Sequence, residues 1–117
     1  MAIPSGSGTE VLKFTNMRAL SNTWSTIFTG VANHVYTIIS IVCTNTTSAA
    51  ETLNMGFADD GSNTNLHYLF LGQDIPGYGT FVWSDRVVFS GAKYLRAAND
   101  SSADVDVWVS YIDQDWT

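Results

Sequence analysis

Positive charge is scarce in this chain of 117 residues: five Lys and Arg (Lys13, Arg18, Arg86, Lys93, Arg96) stand scattered against eleven Asp and Glu, for a formal net charge of −6. Nucleic-acid binding depends on clustered cations that neutralise phosphates, so this composition excludes it. Cysteine is nearly absent. Cys43 stands alone, so no disulfide can form within the chain, and its place in an apolar run makes it a small buried hydrophobe rather than a reactive thiol, which needs an electropositive and accessible setting. Histidine is limited to His34 and His67. They form no His-x-His or His-x-x-x-His pair, and each is expected to be an ordinary strand-end residue. No Gly-x-Ser-x-Gly, Walker or dinucleotide motif occurs. No catalytic, cofactor-binding or metal-binding residue is therefore assigned, and no enzyme is expected.

Long hydrophobic runs are also missing. None approaches the ~20 apolar residues that span a bilayer. The opening MAIPSGSGTE lacks the basic segment and apolar stretch of a secretory signal, so synthesis and folding in a cytoplasm are expected. Charged residues make up only 14% of the chain, against about a quarter in an average domain. Ser, Thr, Asn and Gly must cover the surface, and such surfaces often lie against another molecule.

What is present is strand. Val35 to Cys43, VYTIISIVC, is apolar at nearly every position and rich in β-branched residues, which pack well on a pleated surface. It reads as a central strand, with Tyr36, Ile38, Ser40 and Val42 toward one layer and Val35, Thr37, Ile39, Ile41 and Cys43 toward the other. On that expectation Ile39→Asp unfolds the domain. Val11 to Leu20 opens strand-like, and Trp24 to Thr29 alternates, so the SNT link between them predicts a hairpin. Glu51 to Ala58 alternates with Leu53, Met55 and Phe57 inward. Leu66 to Leu71 returns after the loop DDGSNTN, and Phe81 to Phe89 follows the Gly/Pro loop GQDIPGYG. Tyr94 to Ala98 precedes a last strand with Val105, Val107, Val109 and Tyr111 on one face. About eight short strands between turn clusters, without a helical pattern, predict an all-β antiparallel sandwich, jelly-roll or immunoglobulin-like, over residues 11–117. Residues 1–10, rich in Gly and Ser, read as an N-terminal arm.

Three polar or aromatic groupings are candidates for function. Asp59, Asp60, Asn63 and Asn65 bring oxygens together on one loop, but their spacing fails the EF-hand pattern and a polar hairpin turn is the expectation. Asp104, Asp106, Asp113 and Asp115 are expected to form an acidic surface stripe. Among the four tryptophans, Trp83 reads as core. Trp108 falls on the polar face of the last strand, where strict alternation points it away from the core and a bulge or a second layer would bury it instead, two readings of equal weight; Trp116 is near the end of the chain. Exposed aromatics mark protein interfaces or sugar platforms. A protein interface is favoured, because the charged complement expected for hydrogen bonding beside a sugar platform is thin in the sequence. The candidate partner-binding residues are Ala2, Ile3, Pro4 and Ser5 of the arm together with Trp108 and Trp116; Tyr78 joins the two tryptophans in the sugar-platform alternative.

The segment order is a further signal: VYTIISIVCTNTTSAAETLNMGFADD, then LHYLFLGQDIPGYGTFVW, then SGAKYLRAANDSSADVDVWVSYIDQ. An apolar strand ending in Cys-Thr-Asn, a small-residue turn, a Gly before Lys-Tyr-Leu-Arg and a closing Val-x-Val strand into Ser-Tyr resemble small β-sandwich virion proteins of tailed bacteriophages. The resemblance covers residues 31–113. Asn45, Gly91, Leu95 and Ser110 carry it as structural positions, with Asn45 in the turn after the central strand and Gly91 in a tight turn suited to positive φ. It implies a non-enzymatic virion subunit, most directly a capsid decoration or cement protein bound to the major capsid protein or other virion proteins. Proteins of this kind are often homo-oligomers, commonly trimers, with an arm laid over a neighbouring shell subunit. A tail or fibre accessory protein and a carbohydrate-binding host-adhesion module are the alternatives.

Overall fold

The computed structural model describes residues 9–101 and 103–115. Its strands are β1 (Thr9–Leu20), β2 (Ser25–Thr29), β3 (His34–Asn45), β4 (Glu51–Ala58), β5 (His67–Ile75), β6 (Thr80–Trp83), β7 (Val87–Ser90), β8 (Tyr94–Asn99) and β9 (Val105–Asp115). One antiparallel sheet runs β1-β9-β3 and ends on β6 and β7, which both pair with β3; the other runs β2-β8-β4-β5. β6 lies along Ile41–Thr44 and β7 along Val35–Ile38. They are two halves of the single strand expected over 81–89, broken near Asp85. Eight strand positions therefore form a two-layer jelly roll. In an immunoglobulin order the first two strands share a sheet, whereas here β1 and β2 lie in different ones.

That division corrects the expected β1–β2 hairpin. β1 pairs with β9 along its length, and the register shifts between Met17 and Leu20, where Ala19 adopts a positive φ of 58°. The irregularity turns the chain over the edge of the first sheet into β2, whose partner is β8.

The core lies between the layers and follows strand alternation. Val105, Val107, Val109 and Tyr111 of β9 are buried, as are Leu53 and Met55 of β4 and Leu95 of β8. Phe57, Phe81, Trp83, Val87 and Phe89 pack against this cluster. At one end Phe28 meets the rings of Tyr36 and Tyr111 edge-on, each at 4.8 Å between centroids, and Phe89 stacks on Tyr36 at 5.0 Å.

β3 departs from the expected pair of fixed faces. Ile38 pairs with Tyr111 and Ser40 with Ser110, leaving Ile39 as an extra residue in a β-bulge. A one-residue slip exchanges the faces of everything beyond it. Tyr36 and Ile38 before the bulge, and Ile41, Cys43 and Asn45 after it, thus all enter the core, while Ile39 is only half-buried. Apolar residues at both even and odd positions made the strand read as two-faced. They serve one face in two registers.

Asn45 closes the strand, as expected. Its side-chain amide donates to the carbonyls of Ala49, Ile75 and Pro76 at 2.7, 3.2 and 3.3 Å, and its oxygen accepts from the Thr47 amide and hydroxyl, both at 2.9 Å. The β3–β4 turn is thereby tied to the β5–β6 loop. The same contact demands Gly77, because a Cβ there would lie 2.0 Å from the Ser48 carbonyl oxygen. Gly91 has φ of 76°, as its tight turn requires.

Candidate functional site

The outer face of the first sheet carries the exposed apolar surface. Register places its side chains in four cross-strand rows. The first holds Leu12, Ile112, Thr37 and Val88; the second, Phe14, Ser110 and Ser40; the third, Asn16, Trp108, Val42 and Val82; and the fourth, Asp106, Thr44 and Thr80. Leu12 is 70% exposed, Val88 63%, Phe14 59%, Val82 53% and Trp108 45%. Their strand neighbours Val107 and Val109 are buried, so alternation sends Trp108 outward, which decides between the two placements the sequence left open. Scattered exposed apolar residues are ordinary, but adjacent ones on a flat sheet form a patch of the kind that other molecules cover.

Phe14 and Trp108 stack across the β1–β9 ladder, with centroids 4.5 Å apart and planes 9° from parallel. Phe14 stands opposite Ser110, one row above Trp108, so it covers the face of the indole turned toward the Leu12 row. Below the indole lies a shallow hollow of about 390 Å³, lined by Asn16, Arg18, Val42, Thr44, Asp106 and Trp108 among others. The stacked pair separates two surfaces. Above it is an apolar band of Leu12, Ile112 and Val88; below it is a polar-walled hollow backed by one indole face.

The hollow has both kinds of hydrogen-bonding group. Asp106 accepts from the Ala19 amide at 2.8 Å, which fixes its carboxylate, and the Thr44 hydroxyl lies 3.4 Å from that of Thr80. Arg18 and Asn16 have side chains without a hydrogen-bond or ion-pair partner among the described residues. The sequence did not reveal this polar complement, because its members come from three strands and only register assembles them.

The inner face of the same sheet ends in a charged cluster that sequence also missed. Lys13 Nζ is 2.8 Å from Asp113 Oδ2, and His34 Nδ1 is 2.7 Å from Asp113 Oδ1. Burial pushes the Asp113 carboxyl up, but its hydrogen bonds from Lys13 and His34 outweigh burial and hold it below the usual carboxylate range. Asp113 in turn raises Lys13. The expected acidic stripe is therefore broken up, since β9 alternation turns Asp113 inward while Asp106 faces out, and Asp104 accepts from the Ser101 hydroxyl at 2.8 Å. His34 is more than a strand-end residue, although it does begin β3.

The loop of Asp59 to Asn65 is a polar turn held from within. Asp60 accepts from the Ser62 and Thr64 amides and the Thr64 hydroxyl, and Asp59 from Asn65 and Lys93. Arg96 ties Asn63 to Thr26. Tyr78 is exposed at the β5–β6 turn and does not line the hollow. Trp108 is the one candidate partner-binding residue within the described part; Ala2, Ile3, Pro4, Ser5 and Trp116 lie outside the described residues.

No family model matches the sequence, and no curated protein matches it. Solved structures do. A capsid chain of the T13 infectious bursal disease virus particle aligns with a TM-score of 0.59 at 6% identity over 92% of this chain, which spans 31% of that longer chain. A chain of the acid-stable capsid of Helicobacter pylori bacteriophage KHP30 aligns at 0.55 with 8% identity and covers 94% of both chains. A chain of the Bacillus endospore appendages, a family of disulfide-linked pili, aligns at 0.56 with 11% identity over 100% of this chain and 97% of that one. The fold is that of viral jelly-roll capsid chains. Identities this low establish the fold and nothing finer.

Proposed function

We propose that the protein is a structural subunit of a bacteriophage virion, a decoration (cement) protein that binds the outside of the shell as a homo-oligomer and stabilises it. The observation that carries this reading is the match in both fold and length to a chain of a phage capsid, with 94% of each chain covered. A domain of this size, with an exposed apolar band on one sheet, suits repeated docking on a symmetric surface. There, many modest contacts add through avidity. The apolar band of Leu12, Phe14, Ile112 and Val88, the edge of Trp108, and the arm with Trp116 are the proposed contacts to the major capsid protein, with a trimer as the expected assembly.

A fibre or pilus subunit is the second reading, favoured by the likeness to endospore appendages over nearly the whole of both chains. Cys43 weighs against a disulfide-linked version. It is the only cysteine, it is fully buried, and burial pushes its thiol up to about 12.

The test is location. Antibody raised against the purified domain is applied to gradient-purified particles from a culture producing the protein, with gold labelling and quantitative mass spectrometry. Label distributed over the shell, at copy numbers in the hundreds on the scale of a capsid lattice, is expected. Label confined to tails, fibres or cell-surface filaments overturns the decoration reading. Deleting residues 1–8 is expected to leave the domain folded while shell addition is lost; normal occupancy by the truncated protein removes the arm from the proposal.

A further inference from the structure

We infer that the hollow below Trp108 is a saccharide site that takes a pyranose ring of a surface glycan. This goes beyond the shell-binding reading and does not depend on it.

The argument begins with the indole. One face of Trp108 is covered by Phe14 at 4.5 Å, which holds the ring in place. Trp108 lines the hollow and Phe14 does not, so the hollow lies on the side of the indole that Phe14 leaves uncovered. A fixed aromatic plane open on one side is the surface on which the C–H face of a pyranose stacks, since it is apolar yet rimmed by polar groups. The volume of about 390 Å³ falls at the small end of the roughly 300–1,000 Å³ of small-molecule sites.

The rim supplies the rest. A sugar presents hydroxyls that each donate and accept, so its site needs both functions at short range. Arg18 offers donors only, Asp106 acceptors only, and Asn16 and Thr44 both. Neither Arg18 nor Asn16 is committed to another described side chain. Asp106 is held by the Ala19 amide at 2.8 Å, so one acceptor is positioned before a ligand arrives. A protein partner seated here would have to match a carboxylate and a guanidinium in the same small space, whereas a polyol matches both at once.

The experiment uses the free full-length protein. A glycan array is followed by NMR titration with methyl glycosides of hexoses and N-acetylhexosamines to roughly 50 mM, a range that reveals the millimolar affinities typical of single sugars. The expected result is at least one binder that shifts the Trp108 indole N–H together with Asn16 and Thr44 amides. Trp108→Ala should weaken that binder about tenfold or more, and Arg18→Ala several-fold, with folded spectra in both cases. An empty array with no shift at Trp108, a shift centred elsewhere, or unchanged affinity in Trp108→Ala overturns the site. Because no particle enters the measurement, its outcome is independent of where the protein sits in a virion.

Discussion

The β3 bulge makes a sharp prediction about two neighbouring isoleucines. Sequence alone singled out Ile39 as the residue whose loss of apolarity would unfold the domain, and the structure moves that role to Ile41. Ile41 is 0% exposed in the core cluster, whereas Ile39 is the half-buried extra residue of the bulge. Ile41→Ala removes three carbons; at ~0.8 kcal/mol per buried methylene this costs ~2.4 kcal/mol. The cavity left behind brings the expected loss to about 3–4 kcal/mol, within the range measured for such truncations. A domain of this size loses about 4–5 °C of Tm per kcal/mol, so the melting point should fall by about 12–20 °C. Ile39 is partly exposed and leaves less of a cavity, so Ile39→Ala should cost about 1.5–2 kcal/mol and move the Tm by about 6–10 °C, clearly less than Ile41→Ala. Scanning calorimetry, backed by urea unfolding to show that the m-value is unchanged, measures both. Equal losses in the two variants, or a larger loss for Ile39→Ala, would refute the face switch. Ile41→Asp should not fold, because an uncompensated buried charge costs about as much as the domain's whole stability.

Other consequences can be measured directly. Asn45→Ala strips donors from buried carbonyls of the β5–β6 loop and should cost about 2–4 kcal/mol by urea unfolding; Asn45→Asp, whose carboxylate would face the Ala49, Ile75 and Pro76 carbonyls, should be worse. The lowered Asp113 carboxyl contributes stability that is present above its unfolded value near 3.8 and is lost as pH falls through its lower folded value. Melting Asp113→Asn at pH 6 and pH 3 should therefore show a smaller acid-induced drop in Tm than the parent; an identical drop would remove this cluster from the acid response. Phe14→Ser with Leu12→Ser should change stability by under about 1 kcal/mol, since both side chains are exposed, yet reduce shell addition in a reconstitution assay. Full addition would exclude the apolar band from docking.

What was legible in the sequence was local. The alternation of Val105, Val107, Val109 and Tyr111 named the buried face of β9, though it left Trp108 open between outward exposure and core burial, and Asn45 and Gly91 announced their turns. What was not legible was pairing. The SNT turn is short enough for a hairpin, but β1 finds its partner in β9, the far end of the chain, because a jelly roll closes its first and last strands together. Nor does any pattern mark the bulge at Ile39. An apolar residue at every position is what two consecutive registers on one face and one register on two faces both produce.

The same limit bears on function. The inner faces of the two sheets are constrained by the need to fill one core, and the fold itself is shared with capsid and pilus chains at 6–11% identity. The outer face is free of that demand, and it is where jelly rolls acquire different roles. In this chain the outer face is divided by a single stacked pair. Phe14 turns its free side to Leu12, Ile112 and Val88, a surface without charge in its row, while Trp108 turns its free side to Arg18, Asp106, Asn16 and Thr44. Losing Phe14 should affect both surfaces, because it belongs to the band and also braces the indole. Losing Arg18 should affect only the hollow. A Phe14→Ser variant that loses shell addition and sugar binding together, beside an Arg18→Ala variant that loses sugar binding alone, is the pattern this arrangement requires; the reverse pattern would mean that the two surfaces are one.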